Sequence, residues 1–432
     1  MSKLIILIST LFFLNNCSFN ESSRIWKDNE NNIETNTKIK KIFVEDEKII
    51  SEFNKELKIE LSGIKLNNKI FDNLNNYGPQ KYEGKLKKIG NYKFSKFGNS
   101  TELNFLPIFL ENGIIFFDKK GTIVRFNDKQ KIVWKKNHYS KSEKKLRPKL
   151  SFLLDGQNLL VTDNISKYYS LKLKDGELNW TKNNLYAFNS EIKIKKGKIF
   201  VVDQKNVLRC YFIKDGSECW NLPTEVSFII SNTKYSLIVA DNDVVFINSI
   251  GEITAVDTES GLIKWQLPTQ SSSIINQTYN FKISKIVSDG KSIYFSNNRN
   301  EFYSINLKMG TTNWINKINS NITPVLIANL IFTVSNEGYL YVIDKNKGNI
   351  IRITDVYKNY KEKERVKVSP VGFAVGNDKL YLTNTDGTMI IVNLNTGNIL
   401  NEKKVSGSML SKPFIYKNNL FLIKNGSIIQ YN

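Results

Sequence analysis

From about residue 86 onward, apolar residues come in short runs with period-two alternation, interrupted by Gly, Asn or Asp turns. Turn signals recur about every 8 to 12 residues, which is the pattern of an all-β chain. Residues 283–314 illustrate it. Strands are expected at Ile283–Ser288, Ser292–Ser296, Glu301–Leu307 and Thr311–Trp314, with turns at Asp289-Gly290, Asn297–Asn300 and Met309-Gly310. Each segment is too short for a helix and alternates as a half-buried strand does. Residues 18 to about 85 differ, being rich in Asn, Lys and Glu. One helix is expected there, over Glu45–Leu61, where Ile49, Phe53 and Leu57 are spaced four apart. The rest of that stretch reads as a polar tether.

The strand pattern repeats. "KLKDGELNW" ends at Trp180, "FIKDGSECW" at Trp220, "DTESGLIKW" at Trp265 and "NLKMGTTNW" at Trp314. In each, a glycine (Gly176, Gly216, Gly261, Gly310) stands four residues before the tryptophan. Three weaker copies keep the frame. Trp134 lacks the glycine, while Gly348 and Gly397 are followed by Arg352 and Asn401 where tryptophan would stand. A repeat of four antiparallel strands at this period is one propeller blade. The glycine supplies the positive φ that a short hairpin loop needs. The tryptophan has area to bury between neighbouring blades and an indole N–H free to reach a carbonyl. After the seventh copy come three strands in "SKPFIYKNNLFLIKNGSIIQYN", and "GNYKFSKFG" (residues 90–98) can supply a fourth. The expectation is an all-β, eight-bladed β-propeller closed by strands from both ends, which leaves no open sheet edge. A seven-bladed ring is the alternative.

Composition supports this. Apolar residues make up 41% and aromatics 12% of the 432 residues, with Tyr and Phe prominent among them, a vocabulary suited to strands. Lys and Arg exceed Asp and Glu for a net charge of +21. The lysines are scattered and no nucleic-acid-binding module accompanies them, so nucleic acid is not an expected partner.

The N-terminal stretch "MSKLIILISTLFFLNNC" has Lys3, an apolar run from Leu4 to Leu14, and then Cys17. The run is too short to span a bilayer and fits a signal-peptide core. A cysteine directly after such a run resembles a bacterial lipoprotein signal, with Leu14 at the lipobox leucine position and Asn16 departing from the usual small residue. The expected organisation is a signal peptide at 1–16, lipidated Cys17 and tether at 17–85, and the propeller at 86–432. Ser18, rather than Asp, at the second mature position points to the periplasmic side of the outer membrane. Cys210 and Cys219 flank a Lys-Asp-Gly turn, so a hairpin brings them opposite or nearly opposite. Export then predicts a disulfide between them.

Candidate catalytic chemistry is thin. The only histidine, His138, lies in the lysine-rich "KKNHYSKSEKK", and no third thiol accompanies the pair, so neither a triad nor a metal site is expected. No Walker or Rossmann glycine pattern stands out.

The Gly-x-x-x-Trp unit with its preceding strand resembles the quinoprotein-type (PQQ-like) propeller repeat, and "ITAVDTESGLIKW" is the best copy. A lipoprotein signal, a polar tether and an eight-bladed propeller together resemble the BamB family of outer-membrane assembly lipoproteins. "NNYGPQKYEG" (residues 75–84) is similar to the stretch that opens that family's propeller. The resemblance implies a non-catalytic scaffold without cofactor. Its implied partners are a BamA-like barrel-inserting outer-membrane protein and unfolded outer-membrane protein clients. The family's contacts lie in loops after the third and fourth blades, which here correspond to "WNLPTEVSF" from Trp220 and "SIINQTYNFKIS" from Ser273. The family's arginine and aspartate pair are missing there, and Leu222 and Phe281 are the apolar candidates. The same repeat also occurs in quinoprotein dehydrogenases, which makes a periplasmic oxidoreductase the rival reading. That reading lacks the adjacent-cysteine disulfide typical of such enzymes. A polyanion- or envelope-binding propeller is the third.

Overall fold

Chains of short strands joined by tight turns pair with their sequence neighbours, and the meander they form is the building unit here. The computed structural model describes residues 51–61, 65–69, 71–97, 103, 105–225, 234–269 and 281–432. Among these, eight antiparallel sheets of four strands are present. Seven run in simple chain order over 108–136, 150–183, 193–223, 237–268, 287–316, 325–355 and 370–404. The eighth joins Phe414–Tyr416, Asn419–Lys424 and Ser427–Tyr431 to an outer strand, Lys88–Lys93, from near the other end of the chain. The protein is therefore an eight-bladed β-propeller, and the seven-bladed alternative falls. The closing strand begins two residues before the stretch expected for it. In the fifth blade the first strand is only Val287–Ser288.

Each blade packs a neighbour against both of its faces, so its middle strands are apolar on both sides rather than alternating. Val244 to Ile247, for example, are all buried. The outermost strands lack that cover and stay exposed, as in Leu178–Asn183.

The repeated glycine and tryptophan meet across blades. Each tryptophan lies over the turn glycine of the next blade, and its Nε1–H donates to a carbonyl beside that turn. Trp134 reaches Leu173 O at 3.1 Å, Trp180 reaches Ile213 O at 2.9 Å, Trp220 reaches Thr258 O at 3.3 Å, and Trp265 and Trp314 reach Leu307 O and Lys345 O at 3.1 Å. A Cβ on Gly310 would lie 2.5 Å from the Trp265 ring, and its φ is +70°. The glycine is thus required twice, for its conformation and for the indole above it. Gln130 takes the glycine position of the first blade at φ +61°. The preceding blade presents Lys88–Lys93 there instead of a tryptophan, and Gln130 uses its side chain to accept from Asn91 N at 2.8 Å.

Arg352 replaces tryptophan in the sixth blade and does a related job with hydrogen bonds. It is fully buried beside Gly397, and donates to Asn395 O (2.6 Å), Leu394 O (2.7 Å) and Leu57 O (3.0 Å). Burial lowers its pKa to about 10. Through Leu57 it captures a segment expected to be helix and tether. Residues 51–61 contain no helix. Phe53 instead exchanges backbone hydrogen bonds with Ile353, and Ile59 N donates to Asn395 O at 2.8 Å. The unpaired edge of the sixth blade's outer strand offers a stronger set of partners than an isolated short helix could make for itself.

Residues 72–75 leave the tether in the same way. Val239 N and Ser288 N donate to Asn73 O and Leu74 O, both at 2.9 Å, and the Asn73 side chain donates to Ile194 O at 3.0 Å. The segment thus crosses the innermost strands of the third, fourth and fifth blades and floors the central channel. Farther on, Tyr82 is buried edge-on against Tyr381, with ring centroids 5.2 Å apart. The packed body begins well before residue 86.

Two stability outcomes follow. Gly310→Ala and Gly290→Ala both force alanine into a left-handed backbone, at about 1–2 kcal/mol. Only Gly310 lies under an indole, Gly290 having open space around it. Urea unfolding should show a further loss of about 1–3 kcal/mol for Gly310→Ala; equal losses would refute the lock. Arg352→Met leaves three carbonyls without their donor, a cost on the order of 3 kcal/mol. It should also speed tryptic cleavage at Lys55 and Lys58, and unchanged cleavage would show that Arg352 does not hold the segment.

Candidate functional site

The channel wall is built largely from residues that lead into the innermost strands. A serine recurs there: Ser190, Ser284 and Ser411 each accept at Oγ from the backbone N–H of the residue 12 positions later, at 2.8, 2.9 and 2.9 Å. That bond fixes the chain as it enters the strand and directs the following side chain, Glu191, Lys285 or Lys412, toward the axis. Glu191 and Lys285 form an ion pair between the third and fifth blades, across the channel side of the fourth. Lys193 is buried and reaches the floor, donating to Asp72 O at 2.8 Å and Asn75 Oδ1 at 2.6 Å. Lys234 leads into the fourth blade. It donates to Ser151 Oγ at 2.6 Å, and its ammonium lies 5.6 Å from the centre of the Phe105 ring. Lys412, from the eighth blade, holds its ammonium over the rings of Phe414 (5.5 Å) and the floor residue Tyr77 (5.6 Å).

Four ammonium groups from four blades therefore surround one carboxylate. Burial opposes ionisation of Glu191, but Lys285, Lys193 and Lys412 outweigh it and hold its pKa at about 2. Loss of hydration lowers the lysines. Lys193 falls to about 8 despite the pull of Glu191, and Lys412 falls to about 7, with Lys285 pushing it further down. Lys234 falls to about 8 although its side chain is open to solvent. The channel explains the combination: water reaches the ammonium while protein walls and like charges hem it in.

The residues singled out from sequence lie elsewhere or play other parts. Leu222 sits on the outer strand Glu218–Pro223, half-buried against the core shared by the third and fourth blades. Phe281 is buried under the Arg299 guanidinium, 5.1 Å from its ring centre. It lines one small cleft with Lys234, Tyr235 and Ser249, so the two crossovers expected to face a partner meet beside the channel mouth. Most of those loops, at 226–233 and 270–280, lie outside the described residues, as do Cys17 and the 1–16 segment. His138 bonds to the carbonyl of Gly176 at 3.0 Å and packs on Tyr169, tying a loop to a repeat turn.

The expected Cys210–Cys219 disulfide is not formed in this structure, and both are free thiols. The two side chains nevertheless meet as the hairpin predicts, the thiols hydrogen-bonding one another across a β-bulge. Cys210 faces Trp220, Tyr211 faces Glu218, and Cys219 is the extra residue. The same bulge precedes the frame residue in each of the first seven blades. The channel lysines escaped notice because each looks like one more surface lysine. Only aligning the serine that precedes Glu191, Lys285 and Lys412 would have singled out three of the positions.

The lysines have a pH signature. In the unfolded chain Lys193 and Lys412 keep their protons to about pH 10.5, whereas in the folded protein they release them near 8 and 7. Between those values the unfolded state binds more protons, so stability rises with pH. The gain from pH 7 to 9 should be on the order of 1 kcal/mol per pH unit, and Lys412→Met should reduce it. A stability curve equally steep in that variant would contradict the assignment.

Comparison with known proteins agrees with the geometry. No curated protein sequence matches the chain significantly. Among solved structures, BamB from Moraxella catarrhalis superposes with a TM-score of 0.64 at 13% identity, covering 80% of this chain and 97% of that one. The computationally designed Ika8 protein gives 0.60 at 11% identity over 79% and 99%. The quinohemoprotein alcohol dehydrogenase of Comamonas testosteroni gives 0.60 at 9% identity over 82% and 78%. At such identities these likenesses concern the fold. The sequence profile of the outer membrane protein assembly factor BamB matches residues 119–354, more than half of the chain, and the protein belongs to that family.

Proposed function

We propose that this chain is a non-catalytic scaffold of the outer-membrane β-barrel assembly machinery. In this reading it is anchored by lipid on Cys17 to the periplasmic side of the outer membrane. It binds a BamA-like barrel-inserting protein and receives unfolded outer-membrane clients. The observation that carries the reading is the family match over 119–354. The exposed outer strands support the client role. Residue Phe53 of this same chain already pairs with the outer edge of the sixth blade, which is how an added strand docks on an open sheet. The channel-mouth face, where the two long crossovers begin and end, is the surface assigned to the barrel-inserting partner.

The quinoprotein fold neighbour raises a dehydrogenase reading. Such an enzyme needs calcium ligands beside its quinone, and among the described residues no group of three or more His, Cys, Asp or Glu side chains could hold a metal ion.

Affinity purification of the tagged protein from gently solubilised envelopes should recover the barrel-inserting subunit. Cys17→Ser should move the protein from the membrane to the soluble fraction. Recovery of no barrel-inserting protein under conditions that keep that machinery intact would defeat the scaffold reading, and dye reduction on adding quinone and calcium would favour the enzyme.

A further inference from the structure

We propose that the mouth of the central channel binds a compact multivalent oxyanion of the phosphate class, held by Lys234, Lys285 and Lys412 with Lys193 behind them. The inference stands apart from the scaffold reading, since it rests on the channel residues alone.

The four lysines come from the third, fourth, fifth and eighth blades. The third to fifth blades are neighbours, and the eighth lies across the ring from the fourth, so Lys412 meets the charges of the others only near the axis. Their interactions leave a surplus of positive charge. Glu191 answers Lys285, and Lys193 is satisfied by the floor carbonyl of Asp72 and the Asn75 amide oxygen. The Asp72 carboxylate is engaged by Lys69 and by Leu74 N. Lys234 has a hydroxyl, and Lys149 adds its charge nearby. For the Lys412 ammonium, no hydrogen-bond acceptor is found among the described residues, only the two aromatic faces. A cation at a channel wall without an acceptor is costly unless something anionic joins it.

Geometry selects the ligand class. The floor of Asn73, Asn75 and Tyr77 lies behind the lysines, so an anion arriving from the mouth meets a wall on which positive charge exceeds the single Glu191 carboxylate. The groups that converge are ammoniums, not guanidiniums. Ammoniums act as point charges that can approach a tetrahedral oxyanion from several directions. Burial lowers the pKa values of Lys193 and Lys412, and an anion beside them would raise both. An arriving anion would compete with Glu191 for Lys285 and give Lys412 its missing acceptor.

A phosphate group can come from a free anion or from a lipid headgroup, and the test separates them. Inorganic pyrophosphate is titrated calorimetrically into the full chain, and monomeric dihexanoyl phosphatidic acid, a lipid with a multivalent phosphomonoester headgroup, is then used as competitor. Saturable one-to-one binding of pyrophosphate, weakened at least tenfold in both Lys412→Met and Lys234→Met but unchanged in Lys308→Ala on an outer turn, supports the site. Displacement by the lipid at matched concentration assigns the source to a headgroup, and failure of the lipid to compete assigns it to a free anion. Should Lys412→Met not fold, Lys234→Met decides, because that side chain is solvent-open. No saturable binding of either probe, or binding that survives both channel substitutions, overturns the proposal.

Discussion

The ring depends on an indole laid over the next blade's glycine. A four-stranded sheet of this size cannot bury both faces alone, so each blade is stable only when held to its neighbours. The tryptophan performs that coupling with apolar area and one directed hydrogen bond, and the β-bulge before it aims the ring across the gap. The contact asks the following blade for a residue without a Cβ in a left-handed turn. Glycine and tryptophan are therefore one feature split between two repeats. Gln130 confirms the logic by exception, since no tryptophan covers it and a side chain is tolerated.

Where the lock is missing, other parts of the chain take over. Arg352 trades an indole for a guanidinium and binds three carbonyls, one of them from residues before the propeller. The eighth blade, which has no tryptophan frame, is closed by Lys88–Lys93 pairing antiparallel to Ser427–Tyr431. Gly84 allows the chain to pass so close to Asn432 that any Cβ there would collide with the terminal backbone. Lys88–Lys93 and Ser427–Tyr431 thus tie the eighth blade together from two distant parts of the chain, which limits its fraying.

The same architecture explains the channel. The innermost strands are short, and their first residues converge on the axis, so side chains far apart in sequence share one small volume. Charges there lose hydration and feel one another strongly, which is why Lys412 and Glu191 depart so far from ordinary behaviour. The ring needs no such arrangement for its own stability. Burying like charges opposes folding, and their placement at the mouth beside the two long crossovers joins the channel to the face proposed for a partner.

The all-β class, the eight-blade count and the roles of Gly261 and Trp265 were legible in the sequence, because each depends on local period and on a residue type with few alternatives. The strand-closed eighth blade was legible for the same reason: three strands without a fourth require one. Other features were decided by contacts between distant residues. The four-apart spacing of Phe53 and Leu57 suggested a helix, yet an unpaired strand edge 300 residues away in the chain captured Phe53. The bulge put Trp220, not Cys219, opposite Cys210. Sequence spacing reports what a segment can do with its neighbours in the chain. Which lysines meet on the axis, and which backbone groups remain free to be paired, is settled only when eight blades close and bring their inner edges together.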